Sequence, residues 1–105
     1  MAKSKLTEFT AKEIELSELA KALSHPARIR ILNILFESNM CMTGDIVDQL
    51  PLSQSTVSQH LAELKKVGLI KGEIEGPKTC YCLDNKLVES AKKILNNLFS
   101  RICNC

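Results

Sequence analysis

The sequence predicts a mainly α-helical domain carrying one small β-hairpin, and two observations predict it. Apolar residues recur at three- and four-residue intervals along most of the chain, and the period drops to two only between Leu69 and Leu83. The length of 105 residues fits one domain, so 1–105 is read as a single unit. Hydrophobic residues at 45% against 25% charged ones predict a folded core rather than a disordered chain. A chain this short buries only about two-thirds of its unfolded surface, so pairing with a second copy would add stability.

The elements follow in order. Phe9, Ile14, Leu16, Leu19, Ala20 and Leu23 mark an amphipathic first helix over 9–23, with Glu13, Glu15, Glu18 and Lys21 on its other side. Ser24-His25-Pro26 interrupts it, and Pro26 suits the first turn of a second helix, where its missing N–H costs nothing. Ile29, Ile31, Leu32, Ile34, Leu35 and Phe36 make that helix apolar around most of its circumference, which predicts a place in the core. Glu37 to Met42 reads as a connector. Thr43 is then a candidate cap for a short helix with Asp45 in its first turn and Ile46, Val47 and Leu50 buried. Pro51-Leu52 stops it, and Ser53 is a candidate N-cap for a longer helix from Gln54 to Val67. In that helix Val57, Leu61, Leu64 and Val67 form one apolar stripe, and Gly68 is placed for a left-handed C-cap. Two strands follow, Leu69 to Glu75 and Thr79 to Leu83, joined at Gly76-Pro77-Lys78. A last helix runs from Asn85 with Leu87, Ala91, Ile94, Leu95, Leu98 and Ile102 on one side.

The stretch 43–68 has the proportions of a helix-turn-helix, in which the second helix enters the major groove and its N-terminal residues reach base edges. The chemistry at that end suits the task. Ser53, Gln54, Ser55, Thr56, Ser58, Gln59 and His60 carry hydrogen-bonding groups and no carboxylate; Glu63 is the first acid, with Lys65 and Lys66 after it. Glutamine can pair bidentately with adenine, serine and threonine with phosphates or base edges, and the first helical N–H groups favour a phosphate. The plainer reading of these residues is a capped, solvated helix start. The hairpin, 69–84, is placed to act as a wing, with Lys78 at its tip to reach the backbone or a neighbouring minor groove; an ordinary exposed hairpin is the alternative.

The net charge of +2 does not by itself point to nucleic acid. No apolar run approaches the roughly 20 residues of a membrane span, and Met1 to Lys5 does not lead into a signal peptide's apolar core. A cytoplasmic location without membrane association is expected. No phosphate-binding glycine loop, metalloprotease motif or nucleophile elbow argues for an enzyme. A thiol oxidoreductase would favour Cys-x-x-Cys at a helix start, whereas the spacing here is Cys-x-Cys in a strand and in the tail.

The segments Ala22-Leu23-Ser24-His25-Pro26-Ala27-Arg28-Ile29-Arg30-Ile31-Leu32 and Leu52-Ser53-Gln54-Ser55-Thr56-Val57-Ser58-Gln59-His60-Leu61 resemble the ArsR family of winged helix-turn-helix repressors. Leu64, Gly68-Leu69-Ile70, Tyr81 and Leu83 extend the resemblance, which covers about Leu16 to Leu98. It implies a homodimer formed through the helices at 9–23 and 85–102, and binding of double-stranded operator DNA at an imperfect inverted repeat. It implies repression relieved by an inducer, often a metal or metalloid ion. It assigns the DNA-facing role to Ser53, Gln54, Ser55, Thr56, Ser58 and Gln59, with His60 contacting phosphate or bracing the helix.

Five cysteines bear on the inducer. In a reducing compartment they read as thiols before structural disulfides. Thiolates bind As(III) or Sb(III) in a three-sulfur pyramid and Cd(II) or Zn(II) tetrahedrally. One candidate site is Cys41 with Cys103 and Cys105, although Cys41 stands one residue before the usual ligand position of the family. Another is Cys80 with Cys82, on one face of a strand opposite Tyr81. Oxidation of these thiols, or a role in packing alone, are the alternatives. The last helix has no histidine, and His25 and His60 are the only two in the chain, so a histidine-rich zinc site is not expected. A redox- or ligand-responsive regulator without metal, or a winged helix that docks proteins, are the rival readings of function.

Overall fold

In a computed structural model, residues 8–38, 43–75 and 78–103 are described, apart from the side chains of residues 74, 75 and 78. The elements are α1 (Ala11–Ala22), α2 (Pro26–Glu37), α3 (Thr43–Asp48), α4 (Gln54–Lys66), β1 (Ile70–Glu75), β2 (Lys78–Leu83) and α5 (Asn85–Ile102). The chain is mainly helical with one antiparallel two-stranded hairpin, as its periodicity predicts.

Local chemistry accounts for most of the boundaries. Thr10 caps α1: its Oγ1 accepts from Glu13 N at 3.1 Å while Glu13 Oε1 accepts from Thr10 N at 2.9 Å, a reciprocal capping box. This starts the helix at Ala11 and leaves Phe9 outside it. His25 caps α2 through Nδ1, which accepts from Ala27 N at 3.0 Å, and Pro26 takes the first helical position. Thr43 is the first residue of α3 rather than its cap. Asp84, one residue before the expected start of α5, caps it by accepting from Leu87 N at 3.3 Å.

Gly68 ends α4 with φ +84°. Leu69 N donates to Leu64 O at 3.2 Å and Gly68 N to Lys65 O at 2.9 Å, the paired bonds of a Schellman cap. The cap turns the chain directly into the hairpin. Asp84 N donates to Leu69 O at 2.9 Å, closing the base of the hairpin where α5 departs. The register sets Ile70 opposite Leu83, Lys71 opposite Cys82, Gly72 opposite Tyr81 and Glu73 opposite Cys80.

The core gathers one side of each element. Ile31, Ile46, Val57, Leu61, Leu64 and Ile70 are buried, with Tyr81 and Leu83 packed against them from the wing. One expectation fails: α2 is not enclosed. Only its Ala27 and Ile31 are buried, whereas Ile29 is exposed and Phe36 is 79% exposed. One chain supplies packing partners for one side of α2, and its other apolar side opens onto a groove of about 550 Å³ shared with α1 and α5. Among the described residues, no helix is long and apolar enough to cross a membrane.

Candidate nucleic-acid interface

α3 and α4 pack together with α4 turned outward along one side, and the start of α4 is built from short polar side chains. Ser53, with φ −70° and ψ 159°, is the N-cap; its Oγ accepts from Thr56 N at 3.4 Å. The same Oγ lies 3.0 Å from Thr56 Oγ1 and 3.3 Å from Ser55 Oγ, so three hydroxyls share one hydrogen-bonded cluster at the helix N-terminus. The first turn holds no acid, and Lys65 and Lys66 occupy the last turn. The backbone dipole and the unpaired N–H groups therefore present a partly positive end with no opposing carboxylate.

Ser53, Gln54, Ser55, Ser58 and Gln59 are exposed, and Thr56 is half-buried. Ser55, Ser58, Gln59 and Ala62 fall at i, i+3, i+4 and i+7, which puts them along one exposed side of the helix. The opposite side, Val57, Leu61 and Leu64, is fully buried and holds the helix on the core. Glu63 pairs with Lys66 at 3.4 Å, and both line a cavity between α1, α4 and α5. The first carboxylate of the helix thus stands beyond the polar start and has a lysine beside it.

His60 departs from that row. It is only 8% exposed, its ring centroid is 4.3 Å from that of His25, and its Nδ1 accepts from Arg28 Nε at 3.1 Å. Burial, then His25 and Arg28 nearby, lower the pKa of His60 below its ordinary value. Arg28 is the residue that spacing does not reveal: 32 positions separate it from His60, and no periodic pattern links them.

In the wing, Tyr81 crosses Gly72 closely enough that a Cβ there would lie 3.2 Å from Tyr81 Cε1. Only glycine accepts the ring at that distance without displacement. Lys78 opens β2 opposite Glu75 in the register; Gly76 and Pro77 of the tip lie outside the described residues.

The cysteines are dispersed. Cys41 and Cys105 lie outside the described residues. Cys103 is an exposed free thiol at the C-cap of α5, and Cys82 is a half-buried free thiol. Cys80 is disulfide-bonded. Among the described residues no three histidine, cysteine or acidic side chains gather into a metal-holding group. A disulfide sulfur is not a thiolate donor, so the described cysteines do not fit an ion as they stand.

Comparison with known proteins places this arrangement among bacterial regulators. The model of the family described as bacterial regulatory protein, arsR family, matches residues 25–71, from the cap of α2 into β1. The transcriptional repressor PagR of Bacillus anthracis is 36% identical over 80 residues, covering 76% of this chain and 80% of PagR. The HTH-type transcriptional regulator YgaV of Escherichia coli K12 is 31% identical over 96 residues, covering 91% and 97%. The solved structure of HlyU from Vibrio cholerae, a transcriptional activator, matches with a TM-score of 0.68 at 29% identity over 88% of this chain and 99% of that one.

Proposed function

The chain belongs to the ArsR family of bacterial regulatory proteins, DNA-binding transcriptional regulators rather than enzymes, and from that premise we propose that it acts as a homodimeric repressor. In this reading each subunit lays the first half of α4 in the major groove of one half of an inverted-repeat operator. The observation that carries it is the exposed, carboxylate-free row Ser53, Gln54, Ser55, Ser58 and Gln59 at a helix N-terminus. Thr56, half-buried beside Ser53, shares the contact through its hydroxyl, and Lys78 at the wing supplies a flanking phosphate contact. The sign of regulation follows PagR rather than HlyU and is tested by reporter expression with the gene present and deleted; lower expression on deletion overturns it.

The second copy is argued from unpartnered apolar surface. Phe36 and Phe99 are exposed by 79% and 58%, and they line a groove with Leu19, Leu23, Leu32 and Leu95. A contiguous apolar strip on α1, α2 and α5 suits a two-fold interface in which the same patch meets itself.

Ser58→Glu or Gln59→Glu tests the DNA-binding face: operator affinity is lost in a gel shift while the dimer stays folded. Unchanged affinity refutes the assignment. If about six phosphates are neutralised, wild-type affinity falls by about 10³ between low and moderate salt, and a salt-insensitive complex points to protein docking instead.

For release from DNA, five cysteines in 105 residues support a thiol-directed inducer. A soft ion, As(III), Sb(III), Cd(II) or Zn(II), would need thiols beyond those the described residues assemble, with Cys41, Cys103 and Cys105 the candidate set; Cys80 with Cys82, the second, would serve only after the Cys80 disulfide is reduced. The disulfide at Cys80 favours a redox reading beside it: two thiols and one hydrogen peroxide yield one disulfide and two waters, altering the wing. Titrating the operator complex with arsenite, then with peroxide, separates them. Release by arsenite that is lost in Cys103→Ser/Cys105→Ser supports the ion; release by peroxide that is lost in Cys80→Ser supports the disulfide.

A further inference from the structure

We propose that Arg28 is a positioning residue for DNA recognition, setting the angle of α4 by clasping His60 to the ends of α1 and α2. The inference rests on the DNA-binding reading above and adds a residue and a geometry to it. One guanidinium touches three elements. Its Nε donates to His60 Nδ1 at 3.1 Å in the middle of α4. Its Nη1 donates to Lys21 O at 3.2 Å and Ala22 O at 3.5 Å, carbonyls in the last turn of α1, of which Lys21 O also accepts from Ser24 N and Ser24 Oγ. The side chain itself springs from the first turn of α2. The planar fork of arginine can serve these directions at once; the single ammonium of lysine cannot.

The hydrogen-bond chemistry makes the clasp specific. Arg28 can only donate, so His60 Nδ1 must be unprotonated, and the neutral ring must carry its proton on Nε2. His25 is held in the same sense, because its Nδ1 accepts from Ala27 N at 3.0 Å. Each ring thus turns its Nδ1 toward a donor, and the two rings lie 4.3 Å apart and tilted by 44°. His60 and Gln59 are neighbours in α4, so holding the buried ring of one aims the exposed side chain of the other. A rotation of α4 about its apolar stripe would leave Val57, Leu61 and Leu64 in contact with the core but would move Ser55, Ser58 and Gln59. Apolar packing is non-directional; the Arg28–His60 bond supplies the direction.

Two His60 variants test this. Asparagine places an acceptor oxygen where Nδ1 stands, whereas leucine fills the site with no acceptor. His60→Asn keeps operator affinity within about twofold of wild type, and His60→Leu loses about tenfold while its unfolding transition stays cooperative, the size expected for losing one oriented recognition contact. Arg28→Gln weakens binding without changing the dependence on salt. In the free protein, nitrogen-15 spectra show His60 as the Nε2–H tautomer, and in Arg28→Gln that preference relaxes and its titration moves toward the ordinary histidine value. Wild-type affinity in His60→Leu overturns the proposal. So does a loss in His60→Asn equal to that in His60→Leu, which would mean that Nε2 itself meets the DNA. A salt slope lowered by about one in Arg28→Gln overturns it too, by making Arg28 a phosphate ligand. If the wild-type protein bound no DNA, the functional reading would fail by itself. The imidazole spectra would still decide the clasp, and a His60 protonated at Nδ1 would refute it.

Discussion

α4 and α5 read alike in sequence and behave differently in the fold. Both are amphipathic helices with apolar residues at three- and four-residue spacing. On α4 that stripe disappears completely: Val57, Leu61 and Leu64 have no exposed surface. On α5 only Ala91 is buried, Leu87, Ile94, Leu95 and Leu98 are half-covered, and Phe99 and Ile102 face outward. An apolar stripe states that a helix wants a partner, not where the partner comes from. α4 finds its partner within the chain and is free to turn a polar side outward. α5 lies over the edge of the core with an uncovered apolar side, the condition that motivates the proposed dimer.

The sharpest way to break this contrast is to cut the same kind of side chain from each helix. Leu61→Ala costs about 2–5 kcal/mol of stability, because it leaves a cavity among fully buried neighbours. Phe99→Ala should cost within about 0.5 kcal/mol in the dissociated subunit, where the ring is mostly solvated, while weakening self-association. Chemical denaturation with sedimentation across a concentration series measures both. Equal losses in dilute protein would show that α5 is packed as tightly within one chain as α4.

Gly68 tests the joint between the two helices. A Cβ there would lie 2.9 Å from Leu87 Cδ2 of α5, and the backbone sits at φ +84°. Gly68→Ala should therefore destabilise by about 1 kcal/mol or more, read as a lowered denaturation midpoint. A neutral result would mean that the end of α4 is not held against α5.

The N-caps give a finer comparison. Ser53→Ala and Asp84→Ala each remove a side-chain acceptor from a helix start and should cost about 1 kcal/mol. Only the Ser53 change should also reduce operator affinity, since only that helix end carries the proposed interface. Loss of affinity in both, measured under conditions where both are folded, would remove the distinction.

The smallest effect expected is on pH dependence. His60 has a folded-state pKa below the unfolded value of 6.5, so the unfolded chain binds more protons as the pH falls through that value. Stability is complete above it and declines progressively below it. His60→Asn cannot titrate and should flatten the acid limb of the denaturation midpoint against pH. An unchanged limb would assign the dependence to other groups.

Much of the fold could be read from short-range chemistry. The caps at Ser53 and Gly68, the proline at the start of α2, the change of period at Leu69 and the acid-free start of α4 are all local, and each is found in the structure. The enclosure expected for α2 is not. A helix apolar around most of its surface can be covered by its own chain or by a second copy, and composition reads the same either way. The partner of His60 was equally out of reach. By spacing it falls beside Val57, Leu61 and Leu64 on the buried stripe, but as a polar residue near the N-terminus it reads as part of the polar start, and only the approach of α2 shows which group it meets.

Local preference and periodicity, properties of neighbours a few residues apart, were enough to determine the elements, their order and the polar face of α4. Tertiary structure alone decided which apolar faces are covered and that Arg28 meets His60 across 32 positions. Those outcomes depend on how elements distant in sequence pack, and directional bonds between them form only once non-directional burial has brought them together.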